Sequence, residues 1–460
     1  MALYGYYIVN VGANDSYNRI VGWMGIASLV WCAISMKVIT KTFFSLLFMF
    51  EAAFYVLTLG QSGVIAIKGN IDDLLNLYYF DSPTNVNRAY IFSILCLIAL
   101  NFGIIFAHNN SYRFSFKSIY DYNKPEFDYT RAMKTVGIIL AAVSCIPYAI
   151  MWYNIVSTYS HSGYTEAFIG ITGSTSWSKI PTLIGEYFPI ALYMLLAAYK
   201  DEKQRRNIII IFIIANAVLN LSVGNRSEPI SDIMVVLWFI RNQAITPTQK
   251  RRTTIYIIVG ALLFLLIVPV IGETRNEGTL NVENIILSFT GEGAFASSIE
   301  DTIVGMGWSA FPAIKTMQII PNKMNFQQGE SYFFALLSVF PNIFGGTHIS
   351  VKYAGLPKWL QETLKLSYGP GFSAPAEAFY NFGWYGIFVM PIIGYLAYKL
   401  LSDDRKTKNA LRLFVMIATF TVLFSFPRRE MLTFVRTCTY QVGLPYLVVR
   451  IFYRVQRGRD

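Results

Sequence analysis

Apolar residues come in long blocks of about 15–24 positions, separated by short polar joints. About twenty such residues in a helix cross a bilayer. The pattern predicts eleven membrane-spanning helices, near 20–36, 42–60, 89–107, 133–156, 180–199, 208–223, 228–241, 253–272, 377–399, 410–426 and 431–450. The one large interruption is 273–376, roughly a hundred residues. It divides the chain into an N-terminal bundle of about eight spans (1–272), a loop (273–376) and a C-terminal bundle of about three spans (377–460). The loop contains an apolar run at 281–289, an amphipathic stretch at 294–320, and the segment Tyr332–Phe344 broken by Pro341. Such segments are expected to lie on or dip into the membrane surface as interfacial helices. The first joint on the same side, about 61–88, carries Asp72, Asp73 and Asp81 and reads as a solvated connection.

Composition agrees with an all-α integral membrane protein of ten to twelve spans. The chain is 54% hydrophobic and 14% charged, where a soluble domain carries about 25% charge. Its net charge of +11 does not point to nucleic acid, because the basic residues crowd alternate joints. Lys37 and Lys41 begin the set, and Arg113, Lys117, Lys124, Arg131 and Lys134 follow. Lys200–Arg206, Arg241–Arg252, Lys399–Arg412 and the tail after Arg450 complete it. Lys and Arg mark the cytoplasmic side, so the N-terminus is expected outside and the C-terminus inside. Cys32, Cys96, Cys145 and Cys438 all fall in apolar segments and read as packing residues. No CxxC or HExxH is present, and no metal or cofactor is expected. The segment after Arg19 reads as a retained helix, since it is too long for a signal-peptide core.

Against this charge map, Arg226, Arg275, Arg428 and Arg429 stand at apolar-segment edges that face outward. Arginine near hydrocarbon costs a few kcal/mol, and its planar fork suits phosphate. The tight hairpins Gly224-Asn-Arg-Ser-Glu-Pro229 and Phe426-Pro-Arg-Arg-Glu430 hold three of the four. They read either as headgroup-snorkelling arginines, with Glu228 pairing Arg226, or as grips for a diphosphate. Arg275 has Glu273 and Glu277 as neighbours and reads equally as a solvated helix end. Arg436, two turns beyond the second hairpin, is placed to line the same cavity.

The densest motif is Tyr368-Gly-Pro-Gly-Phe-Ser-Ala-Pro-Ala-Glu-Ala-Phe-Tyr-Asn-Phe-Gly-Trp-Tyr-Gly386. Gly369–Gly371 predict a tight turn, and Ser373 caps a helix starting near Pro375. Glu377 falls in its first turn, where the helix dipole favours a carboxylate. It reads either as a structural cap or as a cavity-facing general base. His348 lies in the large loop, solvated or available for acid–base work. Trp308, Tyr332 and Trp359 in the same loop read as interface anchors or as sugar-stacking rings.

The hairpin GNRSEP, the loop segment FQQGESYFFALLSVFPN and the run GPGFSAPAEAFYNFGWYG together resemble the Wzy class of O-antigen and capsular polysaccharide polymerases. The motifs cover roughly 215–390, and length, span number and the single large loop extend the likeness to the whole chain. The resemblance implies a GT-C-like glycosyltransferase of the bacterial inner membrane, working on the periplasmic face without a metal. Its substrate would be oligosaccharide repeat units carried on undecaprenyl diphosphate, among membrane lipids. A flippase and a chain-length regulator of the same pathway are the further partners it suggests. Arg226 matches the family's hairpin arginine and Glu377 its signature glutamate. Arg428, Arg429 and Arg275 fit diphosphate binding by position, and Glu228 or Glu273 stand behind Glu377 as bases. The sequence leaves two alternatives open: a ligase that moves the finished glycan to another acceptor, and a flippase for lipid-linked sugars. A flippase would be expected to show repeats and midplane charges; Glu51 is the main midspan charge.

Overall fold

The computed structural model describes residues 15–71, 75–113, 128–173, 179–223, 227–243, 294–342, 347–402 and 409–457, with 246, 248–249, 251–256 and 260 between them. Every regular element among the described residues is helical. Eight helices are long and apolar enough to cross a membrane: Ser16–Thr40, Leu46–Lys68, Pro83–Asn110, Thr130–Tyr159, Pro181–Ala198, Lys203–Ser222, Ala374–Leu401 and Ala410–Arg428. They coincide with eight of the eleven expected segments, and the chain is an integral membrane protein. The 228–241 segment forms the 16-residue helix Ser227–Asn242, while most of 253–272 lies outside the described residues. The 431–450 segment is not one helix. It runs as Met431–Thr437, a wider π-helical turn at Cys438–Gly443, and Leu444–Arg457. Gly443 and Pro445 sit where the turn widens and the last helix starts, and both weaken the regular i→i−4 ladder.

The chain forms two compact units, each assembled from separated segments. The first comprises Met1–Ile119, Glu300–Asp403 and Val422–Thr439. Its centre is the Leu46–Lys68 helix, capped by Ser45, whose Oγ accepts the Phe48 amide hydrogen at 3.1 Å. Most of that helix is buried. Glu51 lies within it and accepts from the Asn101 amide at 2.7 Å. The Pro83–Arg113 helix packs along Met390–Leu401. A Cβ on Gly103 would stand 2.1 Å from the Pro391 carbonyl oxygen, and one on Gly394 2.0 Å from that of Leu100. Only glycine permits this backbone approach, a common device where helices meet in lipid.

The large loop supplies short helices to this unit: Phe311–Ile319, Glu330–Leu337, Ile349–Ala354 and Leu356–Leu364. The amphipathic stretch is helical at Ala294–Gly307 and Phe311–Ile319; the 281–289 run lies outside the described residues. The Glu330–Leu337 helix ends before Pro341, and Phe333, Leu336 and Phe340 leave at least 60% of their surface open. Asp81 is not merely solvated, since Lys315 pairs with it at 2.8 Å and Gln318 donates to it at 2.5 Å. Asp72 and Asp73 lie outside the described residues.

The second unit comprises Tyr120–Ile299, Asp404–Thr421 and Tyr440–Asp460. The Thr130–Gly173 helix packs against Lys179–Gly185 and Tyr187–Ala198, and Lys203–Ser222 pairs with Ser227–Asn242. Tyr148, Trp152, Ile155, Tyr159 and Val223 form its apolar cluster.

Candidate active site

The entry turn and cap of the glycine-rich signature fold as its residues predict, whereas the expected 377–399 helix is divided into Ala374–Phe382, a 3-10 stretch at Gly383–Val389 and Met390–Leu401. Gly371 takes a left-handed φ of +71°, and Ser373 caps the Ala374–Phe382 helix by accepting the Ala376 amide hydrogen at 3.4 Å. Glu377 sits in the first turn. The helix stops at Gly383, again left-handed at +59°. Gly386 then folds back so closely that a Cβ would meet the Ala378 carbonyl oxygen at 2.2 Å.

Glu377 is 1% exposed, and both its oxygens are engaged. Oε1 accepts from the Ser331 hydroxyl at 2.6 Å, and Oε2 accepts from the Met431 backbone amide at 2.6 Å. One turn on, the Asn381 amide donates to Ser331 Oγ at 2.8 Å and to the Glu377 carbonyl at 2.9 Å. Its Oδ1 accepts from Gly329 N–H at 3.1 Å. Gln327 and Gln328 add backbone bonds to the carbonyls of Tyr380 and Asn381. The FQQGES segment is thereby fastened to the signature helix, and the two motifs that are 46 residues apart at Ser331 and Glu377 become one polar knot.

The knot fixes the second arginine hairpin. Met431 opens the Met431–Thr437 helix, whose first amides have no intrahelical partner. Glu377 satisfies one of them from another helix. The Phe426–Arg428 turn packs on the Ala374–Phe382 helix, so Arg428, Arg429 and Glu430 stand between two anchored points. Arg428 is exposed and Arg429 half-buried. Glu430 accepts from the Thr433 hydroxyl at 2.5 Å with one oxygen; its other oxygen carries no hydrogen bond among the described residues.

The same helix reaches the loop through Arg436, which donates to Ser350 Oγ at 3.3 Å. His348 caps the Ile349–Ala354 helix: its Nδ1 accepts the Ser350 amide hydrogen at 3.1 Å and lies 2.5 Å from Ser350 Oγ. With Nδ1 accepting, the proton of the neutral ring is on Nε2, which leaves that nitrogen as a donor. Ala335, Ala354 and Leu432 form the apolar floor below. This unit therefore gathers Glu377, Arg428, Arg429, Arg436 and His348.

The loop aromatics are occupied on at least one face. Tyr332 stacks on Phe382 at 6.2 Å, Trp308 on Phe311 at 5.2 Å, and Trp359 meets Tyr380 edge-on at 4.7 Å. Burial, with the Glu377 charge nearby, pushes the Tyr332 hydroxyl well above its usual range. Arg226, Arg275 and Glu273 lie outside the described residues. Glu228 is exposed at the start of the Ser227–Asn242 helix in the second unit.

Two groups escaped sequence reasoning. Glu430 belongs to the Phe426–Glu430 hairpin, where nothing in the sequence distinguishes it from a carboxylate paired with the adjacent arginines. In the second unit, Asp232 is 3% exposed and hydrogen-bonds Tyr193 and the Asn216 amide, the latter at 3.1 Å. Tyr148 bonds Asn216 Oδ1, and Asn220 donates to the Asn216 carbonyl at 3.0 Å. The only sequence signal was Asn216 and Asn220 one turn apart in an apolar helix. Among the described residues no three His, Cys, Asp or Glu side chains form a metal-ligand set.

A family model described as O-antigen polysaccharide polymerase Wzy matches residues 2–459, nearly the whole chain. No curated protein matches, and no solved structure does.

Proposed function

We propose, from the premise that the chain belongs to the O-antigen polysaccharide polymerase Wzy family, that it joins oligosaccharide repeat units carried on undecaprenyl diphosphate at the outer face of the inner membrane. The family is one of glycosyltransferase-type polymerases, and the chain is such a membrane enzyme. The finer chemistry is our reading. A sugar hydroxyl attacks the anomeric carbon of the donor unit; the new glycosidic bond forms as the bond to the lipid diphosphate breaks.

The leaving diphosphate carries away the bonding pair and needs fixed positive charge. Arg428 and Arg429 supply it from the anchored hairpin, where preorganised charge counts most. Arg436 and the His348 Nε2–H stand on the adjoining helices. For Arg226 and Arg275 the same role rests on the resemblance and their sequence placement alone. The observation that carries the site is the double hydrogen bond of Glu377. A carboxylate with both oxygens taken by Ser331 and Met431 holds a helix end in place. Glu377 is therefore proposed as a positioning residue. The proton of the attacking hydroxyl passes to Glu430, which is buried next to Arg429 in the chain and whose second oxygen carries no hydrogen bond among the described residues.

The direct test is the purified protein with synthetic undecaprenyl-diphosphate repeat units. A ladder of products is expected; unchanged single units under turnover conditions would sink the reading. In cells lacking the protein, single repeat units should remain attached to the final acceptor. Complete loss of attachment would favour a ligase.

A further inference from the structure

Arg88 is an arginine that neither the family motifs nor the hairpins account for. It lies in the second turn of the Pro83–Arg113 helix and is half-buried. Its Nε is buried without a hydrogen-bond partner. Among the described residues its guanidinium makes no hydrogen bond and no ion pair. It rests instead against two rings, 5.9 Å from the centres of both Phe379 and Trp384. Aromatic faces return about 0.5–2 kcal/mol to a cation, less than a charge at hydrocarbon level costs. An anion bound at the guanidinium would close the difference.

The surroundings say what kind of anion. Leu95, Phe102 and Phe106 lie on the helix face that Arg88 occupies, and they are 37%, 55% and 61% exposed. At about 1.5 Å per residue the stripe from Arg88 to Phe106 runs roughly 27 Å. That is close to the whole hydrocarbon thickness of about 30 Å. The neighbouring Met390–Leu401 helix extends the surface with exposed Ile392 and Leu396. A cation heading an apolar track fits a phosphate-headed lipid. A track of this length fits one long polyprenyl chain, whereas an ordinary acyl chain covers one leaflet only.

Position completes the case. Phe379 is two residues from Glu377, about 200° around the helix, so Arg88 stands on a different face from the Arg428–Glu430 hairpin. Joining two lipid-linked units requires two diphosphates in place at once. We propose that Arg88 binds the diphosphate of the second, acceptor substrate, with its polyprenyl chain along the Leu95–Phe106 stripe. This rests on the polymerase reading given above.

The test is binding stoichiometry in lipid nanodiscs, with full-length protein and undecaprenyl diphosphate bearing no sugar as probe. Wild type should hold two molecules per chain. Arg88→Gln should hold one, the second weakened at least about tenfold. The Arg428→Ala/Arg429→Ala double variant should lose the other. Arg88→Lys, which keeps the charge and the fold, should weaken the second site about three- to tenfold by losing the bidentate grip. Unchanged binding of two molecules by both Arg88 variants would overturn the proposal, as would a single molecule on wild type. Equal displacement by phosphatidylglycerol would overturn the substrate assignment in favour of bulk lipid, and displacement by inorganic pyrophosphate alone would remove the tail track. Failure of the ladder assay strikes the polymerase reading instead, so the two ideas fail separately.

Discussion

Glu377 in the first unit and Asp232 in the second are both buried carboxylates, and neither pairs with a cation among the described residues. They are held differently. Glu377 accepts from a backbone amide that opens another helix and from a loop serine. Asp232 accepts from side chains only, Tyr193 and Asn216, inside apolar helices. A first-turn amide has no partner within its own helix, so its bond to Glu377 ties one helix end to another helix. Side-chain donors within lipid-embedded helices can find other partners, and such bonds average about 0.6 kcal/mol. The first arrangement fixes where a hairpin stands; the second adds cohesion to a bundle.

Substitutions probe this contrast. The largest effect is expected from Glu377→Ala, which leaves the Met431 amide and Ser331 unsatisfied. Each buried orphan costs about 1–3 kcal/mol, and the arginine hairpin loses its anchor. Chain extension should fall more than about 100-fold, scored on polymer ladders, with a lower unfolding midpoint. An Ala variant as stable and active as wild type would erase the knot's importance. Next comes Glu430→Gln. A lost general base is worth about 10²–10⁴-fold, here in turnover and without loss of thermal stability. Retained turnover would remove Glu430 from the chemistry. Asp232→Asn should do least: a stability change below about 1 kcal/mol and rates within severalfold. A collapse of activity in that variant, with the protein still inserted, would make the second unit's network part of the reaction.

The contrast also explains what the sequence disclosed. Ser373, Glu377 and Gly371 act through local backbone geometry, so spacing alone marked the cap, the first-turn carboxylate and the turn; the stop at Gly383 was not marked, because the apolar run continues through it. Eight spans were legible because hydrocarbon thickness sets their length. The partners of Glu377 were not, since the Met431 amide is a backbone group present at every position and Ser331 meets Glu377 only in the fold. Tyr148, Tyr193, Asn216 and Asp232 are single polar residues on different helices, and no spacing rule links them. The break at Cys438–Gly443 was hidden by the continuous apolar character of 431–450. Arg88 falls at the last position of the expected 61–88 joint, although its helix begins earlier, at Pro83.

The central claim is that Glu377 positions the arginine hairpin and does not take the proton. Glu377→Gln separates the two roles. Its carbonyl still accepts from Met431 and its amide reaches Ser331 Oγ, but it cannot act as a base. The polymerisation rate of Glu377→Gln, against wild type in the same membranes, should stay within about tenfold. A folded Glu377→Gln protein as inactive as Glu377→Ala would contradict the account and return the base role to Glu377.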